Sequence, residues 1–176
     1  VFPTPIDFFG LNSFNRKTLD IYTSSILSIK KSKKKLKNKK KIIGITSFGV
    51  TTIAVNLCVK LLKNKNYDSV VLPANGAGGR FFEKLINEKY FDGIIDLTTS
   101  EIADEVVGGT ASAGKSRLTS AIKMKIPQIV STGAIDMVNF SSLNSIPKKF
   151  LKRNLYQHTK FTTLMRTNVS ENIKIA

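Results

Sequence analysis

From Lys41 to Ser131 the apolar residues alternate between two kinds of run. Ile42-Ile43-Gly44-Ile45-Thr46, Ser69-Val70-Val71-Leu72, Gly93-Ile94-Ile95-Asp96-Leu97 and Gln128-Ile129-Val130-Ser131 are short and rich in β-branched residues, and each predicts a strand. Between them lie longer stretches with apolar residues at helical spacing. These predict helices over Thr51 to Lys63 (Ile53, Val55, Leu57, Val59, Leu61 and Leu62), Arg80 to Glu88, Glu101 to Val107 and Arg117 to Lys125. Near-continuous apolar strands alternating with helices predict an α/β fold, with a parallel sheet covered on both faces. Further on, Tyr156 with Thr162 to Met165 predicts a last strand or an extended loop.

The first forty residues differ. A helical pattern from about Asn15 to Ile29 places Leu19, Tyr22, Ile26 and Ile29 on one face, and a lysine tract follows. A boundary is expected near Lys41. Residues 1–41 would be the tail of a preceding domain plus a Lys-rich linker, or an arm packing on the main unit. Residues 42–176 would be the second domain. The chain opens on Val and stops within the helix-like pattern of Asn168 to Ala176, so a piece of a longer protein, truncated at its C-terminus, is expected.

The net charge of +16 raises the question of nucleic acid or an anionic membrane. Nine of the 28 basic residues fall within Lys30 to Lys41, and only five are Arg. No aromatics interleave with the tract, so it lacks a stacking platform for single strands. It reads first as a solvated linker and second as a phosphate clamp. Nucleic-acid binding therefore stays the lesser expectation. The chain has one cysteine, Cys58, hence no internal disulfide, which fits a reducing compartment and a cytoplasmic location. No apolar run is long enough to span a bilayer.

Asp68 to Leu85 carries the densest chemical signal. A strand runs straight into Asn75-Gly76-Ala77-Gly78-Gly79-Arg80, and Phe81, Phe82, Leu85 and Ile86 then follow at helical spacing. A glycine turn at a helix start bares main-chain N–H groups at the positive end of the helix dipole, a pattern suited to an anion. Arg80 adds a cationic fork for phosphate or carboxylate. The other strand ends also lead into small and polar residues, which can cap helices or line a site. Gly49 with Thr51 and Thr52 offers a second helix N-terminus. Asp96, Thr98 and Thr99 follow the third strand, and Gly133, Asp136 and Asn139 follow the fourth. Glu101, Asp104 and Glu105 share a helix face. Facing inward they could bind Mg²⁺ or act as acid and base; facing outward they are a solvated face. His158 is the only histidine and a candidate catalytic group.

Two motif matches do not meet their structural conditions. Gly109 to Ser116 satisfies the Walker string, but the run before it is helical, where a phosphate loop requires a strand. Gly76 and Gly78 begin a dinucleotide fingerprint, but Phe81 occupies its third glycine position.

At these same blocks the chain resembles the ATP-binding domain family of the plant tomato-mosaic-virus resistance protein and its bacterial and fungal relatives. The resemblance is carried by Gly10-Leu11-Asn12, Gly44-Ile45-Thr46 with Phe48 to Thr52, Gly76 to Arg80, Asp96 to Thr99, and Glu101 with Ala103 to Gly109. Ser112-Ala113-Gly114, Gly133 to Phe140, His158 and Thr163 to Thr167 continue it. It implies two Rossmann-like domains with a nucleotide or similar ligand between them, of which this chain covers mainly the second. The expected fold is thus a Rossmann-like three-layer α/β/α with a mostly parallel sheet. The chain departs from the family at Pro73-Ala74-Asn75, where relatives usually carry a His, and at Lys115-Ser116, often Pro-Asp.

The resulting expectation is a module for ATP or a related nucleotide, with Mg²⁺ a candidate companion. Gly76, Gly78, Gly79 and Arg80 would hold phosphate, assisted by Thr51 and Thr52. Thr98, Thr99, Gly133, Asp136 and Asn139 would complete the pocket. Glu101, Asp104 or Asp136 would hold the metal or a polar head, and Arg166 and His158 would close the site. A hydrolase or lyase using Glu101, Asp104 and His158 is the alternative, and whether any reaction occurs is left open. Expected partners are the preceding Rossmann-like domain of the same protein and further copies of the chain.

Overall fold

A computed structural model describes residues 11–31 and 40–176. The chain divides into two units, residues 1–39 and 40–176. In the first, helix α1 spans Ser13–Lys31, and the Asn12 side chain caps it by accepting the Asn15 amide at 2.9 Å. The lysine tract falls largely on residues 32–39, outside the described residues.

The second unit begins with a four-stranded parallel sheet. Its strands are β1 (Ile42–Ser47), β2 (Asp68–Pro73), β3 (Gly93–Asp96) and β4 (Gln128–Val130), in the order β2-β1-β3-β4. Ile42 to Ser47 pairs with Asp68 to Pro73 on one side, and Ile43 to Ile45 with Gly93 to Ile95 on the other. The connecting helices are α2 (Thr52–Asn64), α3 (Ala77–Asn87), α4 (Ser100–Val107) and α5 (Ser120–Met124). Helix α2 packs on β1 and β2, while α3 packs on β2 and against α5. The architecture is the α/β, Rossmann-like layering expected from the sequence.

One core lies beneath α3. Leu72, Phe82, Ile86, Phe91, Ile94 and Ala121 are buried together, and the Phe82 and Phe91 rings are 5.3 Å apart. Helix α2 contributes little to a core. Only Val55 is buried on it, whereas Ile53, Leu57 and Leu61 are exposed, Ile53 at 87%. Its apolar periodicity therefore does not mark a buried face within this unit.

Of a second layer the sequence pattern predicted only the segment of Tyr156 with Thr162 to Met165, as a last strand or extended loop, and not the sheet. Strands β5 (Met137–Phe140), β6 (Leu155–Thr159) and β7 (Thr162–Arg166) form an antiparallel sheet in the order β5-β7-β6. Side chains alternate across it. Val138, Phe140 and Met165 pack with Ala103 of α4, Ile146 and Phe150 in a second core. Helix α6 (Val169–Ile175) follows, opened by a reciprocal capping box between Asn168 and Glu171. Arg153 clamps Glu171 with two bonds of 3.0 and 2.8 Å.

Phe82 is fully buried at the centre of the first core. Phe82→Ala is expected to lower unfolding free energy by about 3–5 kcal/mol, read as a shift in the urea midpoint.

Candidate functional site

The glycine turn after β2 is occupied from within the chain. Gly76 has φ of 83°, open to glycine but strained for other residues. The carboxylate of Glu101 sits against the turn: Oε1 accepts the amides of Gly76 at 2.6 Å and Gly79 at 3.1 Å. A Cβ on Gly79 would lie 2.2 Å from that carboxylate, so the glycine makes room for it. The Gly78 amide goes to Asn75 Oδ1 at 2.9 Å. The bared amides predicted from the sequence do hold an anion, and that anion is Glu101. The expectation that Gly76, Gly78 and Gly79 cradle a ligand phosphate is revised accordingly. Arg80 is exposed and donates to the Ser112 carbonyl at 2.8 Å.

Glu101 belongs to a larger cluster. Its Oε2 accepts Nε of Arg117 at 2.7 Å, while the other arms of Arg117 meet Glu83 at 3.1 Å and Asp96. All four side chains are buried. Burial alone would lower the Arg117 pKa, but the adjoining Asp96 and Glu101 carboxylates raise it above its ordinary value. Glu83 also accepts the amides of Leu118 at 2.7 Å and Ser120 at 3.1 Å, and Asp96 accepts Gln128 Nε2 at 2.7 Å.

Asp104, one turn beyond Glu101, is likewise fully buried. Its Oδ1 accepts the amides of Asn139 at 3.0 Å and Ala111 at 3.3 Å, and its Oδ2 accepts Asn139 Nδ2 at 2.8 Å. Burial pushes its pKa up to about 6 from 3.8, against the pull of these N–H donors. Glu101 and Asp104 therefore face inward, but as anchors bonded to protein donors, which corrects their reading as metal ligands or as an acid–base pair. Among the described residues, no group of three or more His, Cys, Asp or Glu is placed to hold a metal.

The open site is a cleft of about 490 Å³. One wall is the carboxyl edge of the parallel sheet: Phe48, Gly49 and Val50 after β1, and Ser100 at the start of α4. The other comprises Ala134, Asp136, Met137 and Asn139 leading into and along β5, Tyr156 and His158 on β6, and Thr162 and Leu164 on β7. In the order β2-β1-β3-β4 the chain reverses direction between β1 and β3, and ligands of open α/β sheets bind in the crevice at such a reversal. The loops after β1 and β3 supply the first wall.

Of the sequence candidates, Gly49, Asp136, Asn139 and His158 line this cleft. Thr51 and Thr98 are not in the lining; their hydroxyls are 2.7 Å apart, and Gly133 accepts the Thr99 amide at 3.0 Å. Thr99 turns its hydroxyl to the Ser131 carbonyl at 2.8 Å, and Thr52 turns its own to Gly49 at 2.8 Å. Arg166 is exposed on the same face of β7 as Thr162 and Leu164, past the cleft lining. Sequence reasoning missed Tyr156, Thr162 and Leu164, whose alternation along two short strands was the available signal. It also missed Glu83 and Arg117 as partners. The Walker-like string of Gly109 to Ser116 follows helix α4 and runs through turns, so it is no phosphate loop.

A Rossmann-like α/β unit with a cleft at its strand-order reversal, closed on one side by an antiparallel sheet, is the class this chain presents. The chain belongs to the uncharacterised protein family UPF0261, whose C-terminal domain matches residues 40–176. It is 46% identical over 171 residues to a UPF0261 protein of Clostridium tetani, covering 97% of this chain and 42% of the relative. It is 37% identical over 182 residues to the ToMV resistance protein Tm-1(GCR237) of Solanum lycopersicum, covering all of this chain and 24% of that protein. A UPF0261 protein of Rhizobium meliloti is 37% identical over 169 residues, with 42% of its length covered. The chain thus spans less than half the length of these relatives. Among the described residues, no helix is long and apolar enough to cross a membrane.

Two outcomes follow from the buried charges. Arg117→Met leaves three buried carboxylates without their cation and is expected to cost about 3–5 kcal/mol in a denaturation curve, with Arg117→Lys failing to restore the three-armed contact. Asp104 binds its proton more tightly folded than unfolded, so its contribution is favourable at low pH and is lost as pH rises from 3.8 to about 6. The stability of Asp104→Asn relative to wild type should therefore rise by about 3 kcal/mol across that window and stay level above it, as measured by urea unfolding at stepped pH.

Proposed function

We propose that this chain forms the ligand-binding part of a nucleotide-binding protein, with ATP or a related nucleotide in the cleft between its two sheets. The observation that carries the reading is the position of the cleft, at the carboxyl edge of the parallel sheet where strand order reverses. Its size falls within the range of small-molecule sites. Phe48, Val50, Met137, Tyr156 and Leu164 offer apolar surface for a flat base. Asp136 offers a carboxylate to hydroxyl groups. His158 and the main chain of the turn at Gly49 and Val50 offer donors to phosphate. Mg²⁺ accompanying the phosphates would find one carboxylate in the lining, Asp136, which suits an ion held mainly by phosphate and water. Every lining residue comes from residues 40–176, so the preceding domain and further copies proposed as partners are not needed to form the cleft. A hydrolase or lyase acting through Glu101 or Asp104 loses support, since both carboxylates are buried and bonded to protein donors.

Titration of the full-length protein with ATP by calorimetry tests this. Asp136→Ala and His158→Ala are each expected to weaken binding about tenfold, or about 1.4 kcal/mol, whereas Lys115→Ala, which removes the lysine of the Walker-like string, leaves it unchanged. Absence of nucleotide binding, or affinity indifferent to both cleft substitutions, overturns the proposal.

A further inference from the structure

Asn139 is 6% exposed, yet it lines the cleft. Its amide group has its orientation dictated from behind. Asp104 Oδ2 lies 2.8 Å from Asn139 Nδ2, and Asp104 Oδ1 takes the Asn139 main-chain amide at 3.0 Å. The Asn139 main-chain carbonyl is also engaged, by the amide and hydroxyl of Thr110 at 2.7 and 3.1 Å. An ionised carboxylate offers acceptors only. The Asn139 side chain must therefore turn its NH₂ toward Asp104, because the opposite orientation would set oxygen against oxygen. That leaves one side-chain atom, Oδ1, and among the described residues nothing donates to it. Oδ1 is not among the buried atoms that lack a partner, so it is open to the cleft as an oriented acceptor. A ligand in the cleft is the partner in reach.

We infer that Asn139, held in one orientation by Asp104, is a specificity-determining residue of the cleft and accepts a hydrogen bond from an N–H group on the ligand. The inference rests on the nucleotide reading and narrows it to a base with an exocyclic amine, against a base carrying a carbonyl at the same place. A site that presents a fixed acceptor to one such group disfavours an analogue with a carbonyl at that place, since two oxygens are then set against each other. Asp104 touches no ligand; it is a positioning residue acting through Asn139.

The two roles separate in binding measurements on the full-length protein with ATP and ITP, which differ by amine against carbonyl at one ring position. Wild type is expected to prefer ATP by tenfold or more. Asp104→Asn keeps an oxygen for the main-chain amides but places an NH₂ where Oδ2 was. The Asn139 amide then turns over, presents its own NH₂ to the cleft, and shifts the preference toward ITP. A purely structural role for Asp104 would weaken both nucleotides alike and leave their ratio unmoved. Asn139→Leu removes the reader and should bring the two affinities within about twofold of each other, carrying the test by itself if Asp104→Asn does not fold. Equal affinity of wild type for ATP and ITP, a wild-type ratio retained in folded Asp104→Asn, or one retained in Asn139→Leu overturns this inference while leaving the nucleotide reading intact. Failure of both nucleotides to bind wild type overturns both together.

Discussion

One guanidinium organises the carboxyl rim of the parallel sheet. Arg117 stands between Glu83 on α3, Asp96 at the end of β3 and Glu101 on α4, all buried. Three carboxylates against one cation leave an excess of negative charge in a region that water does not reach. The excess is met by main-chain amides from Gly76, Gly79, Leu118 and Ser120, and by the Gln128 side chain. A buried ion pair is weak evidence for net stability, because desolvating charges offsets their attraction. The stronger consequence is geometric. Each donor has one place to go, so the start of α3, the end of β3, the start of α4 and the loop before α5 are held in a single arrangement. Ser100, adjacent to Glu101, is thereby fixed in the wall of the cleft.

The same cluster explains what the sequence could and could not convey. Four strands and their intervening helices were legible because buried parallel strands leave long apolar runs and helices leave a 3.6-residue period. Of the antiparallel sheet, β7 was legible as a last strand or extended loop over Thr162 to Met165, but β6 is exposed along most of its length, with Tyr156 at 59%, and carries no apolar run. The glycine turn was legible as an anion site, since a stretch of glycines before a helix has that property wherever it occurs. What filled it was not legible. Glu101 lies 25 positions beyond Gly76, and nothing local distinguishes a carboxylate supplied by the chain from a phosphate supplied by a ligand. Helix α2 shows the converse limit: apolar residues at helical spacing marked the helix correctly, yet Ile53, Leu57 and Leu61 are exposed within this unit.

Within the candidate site, the expected residues that line the cleft include two that follow the fourth strand. Asp136 and Asn139 reach the cleft because the chain there leaves the parallel sheet and enters β5, with Met137 and Asn139 on the cleft side and Val138 and Phe140 in the core. His158 reaches it through β6. These residues come from different strands of one sheet, and the pairing of β5 with β7 and of β7 with β6 brings them to one wall.

The carboxylates of this unit accordingly fall into two groups with different capacities. Glu83, Asp96, Glu101 and Asp104 are buried and accept N–H bonds from the protein, so a ligand gains access to them only by breaking the rim apart. Asp136 is exposed on the cleft wall, beside His158 and Tyr156. Any proton transfer in the cleft would fall to these exposed groups, whose protons exchange with solvent. Acid–base catalysis gains most where water is excluded and the pKa of a group is held near the working pH by its surroundings. Burial raises the Asp104 pKa to about 6, but its oxygens are committed to Asn139 and Ala111. Within this chain, the burial of Asp104 goes to fixing the orientation of Asn139 in the cleft wall.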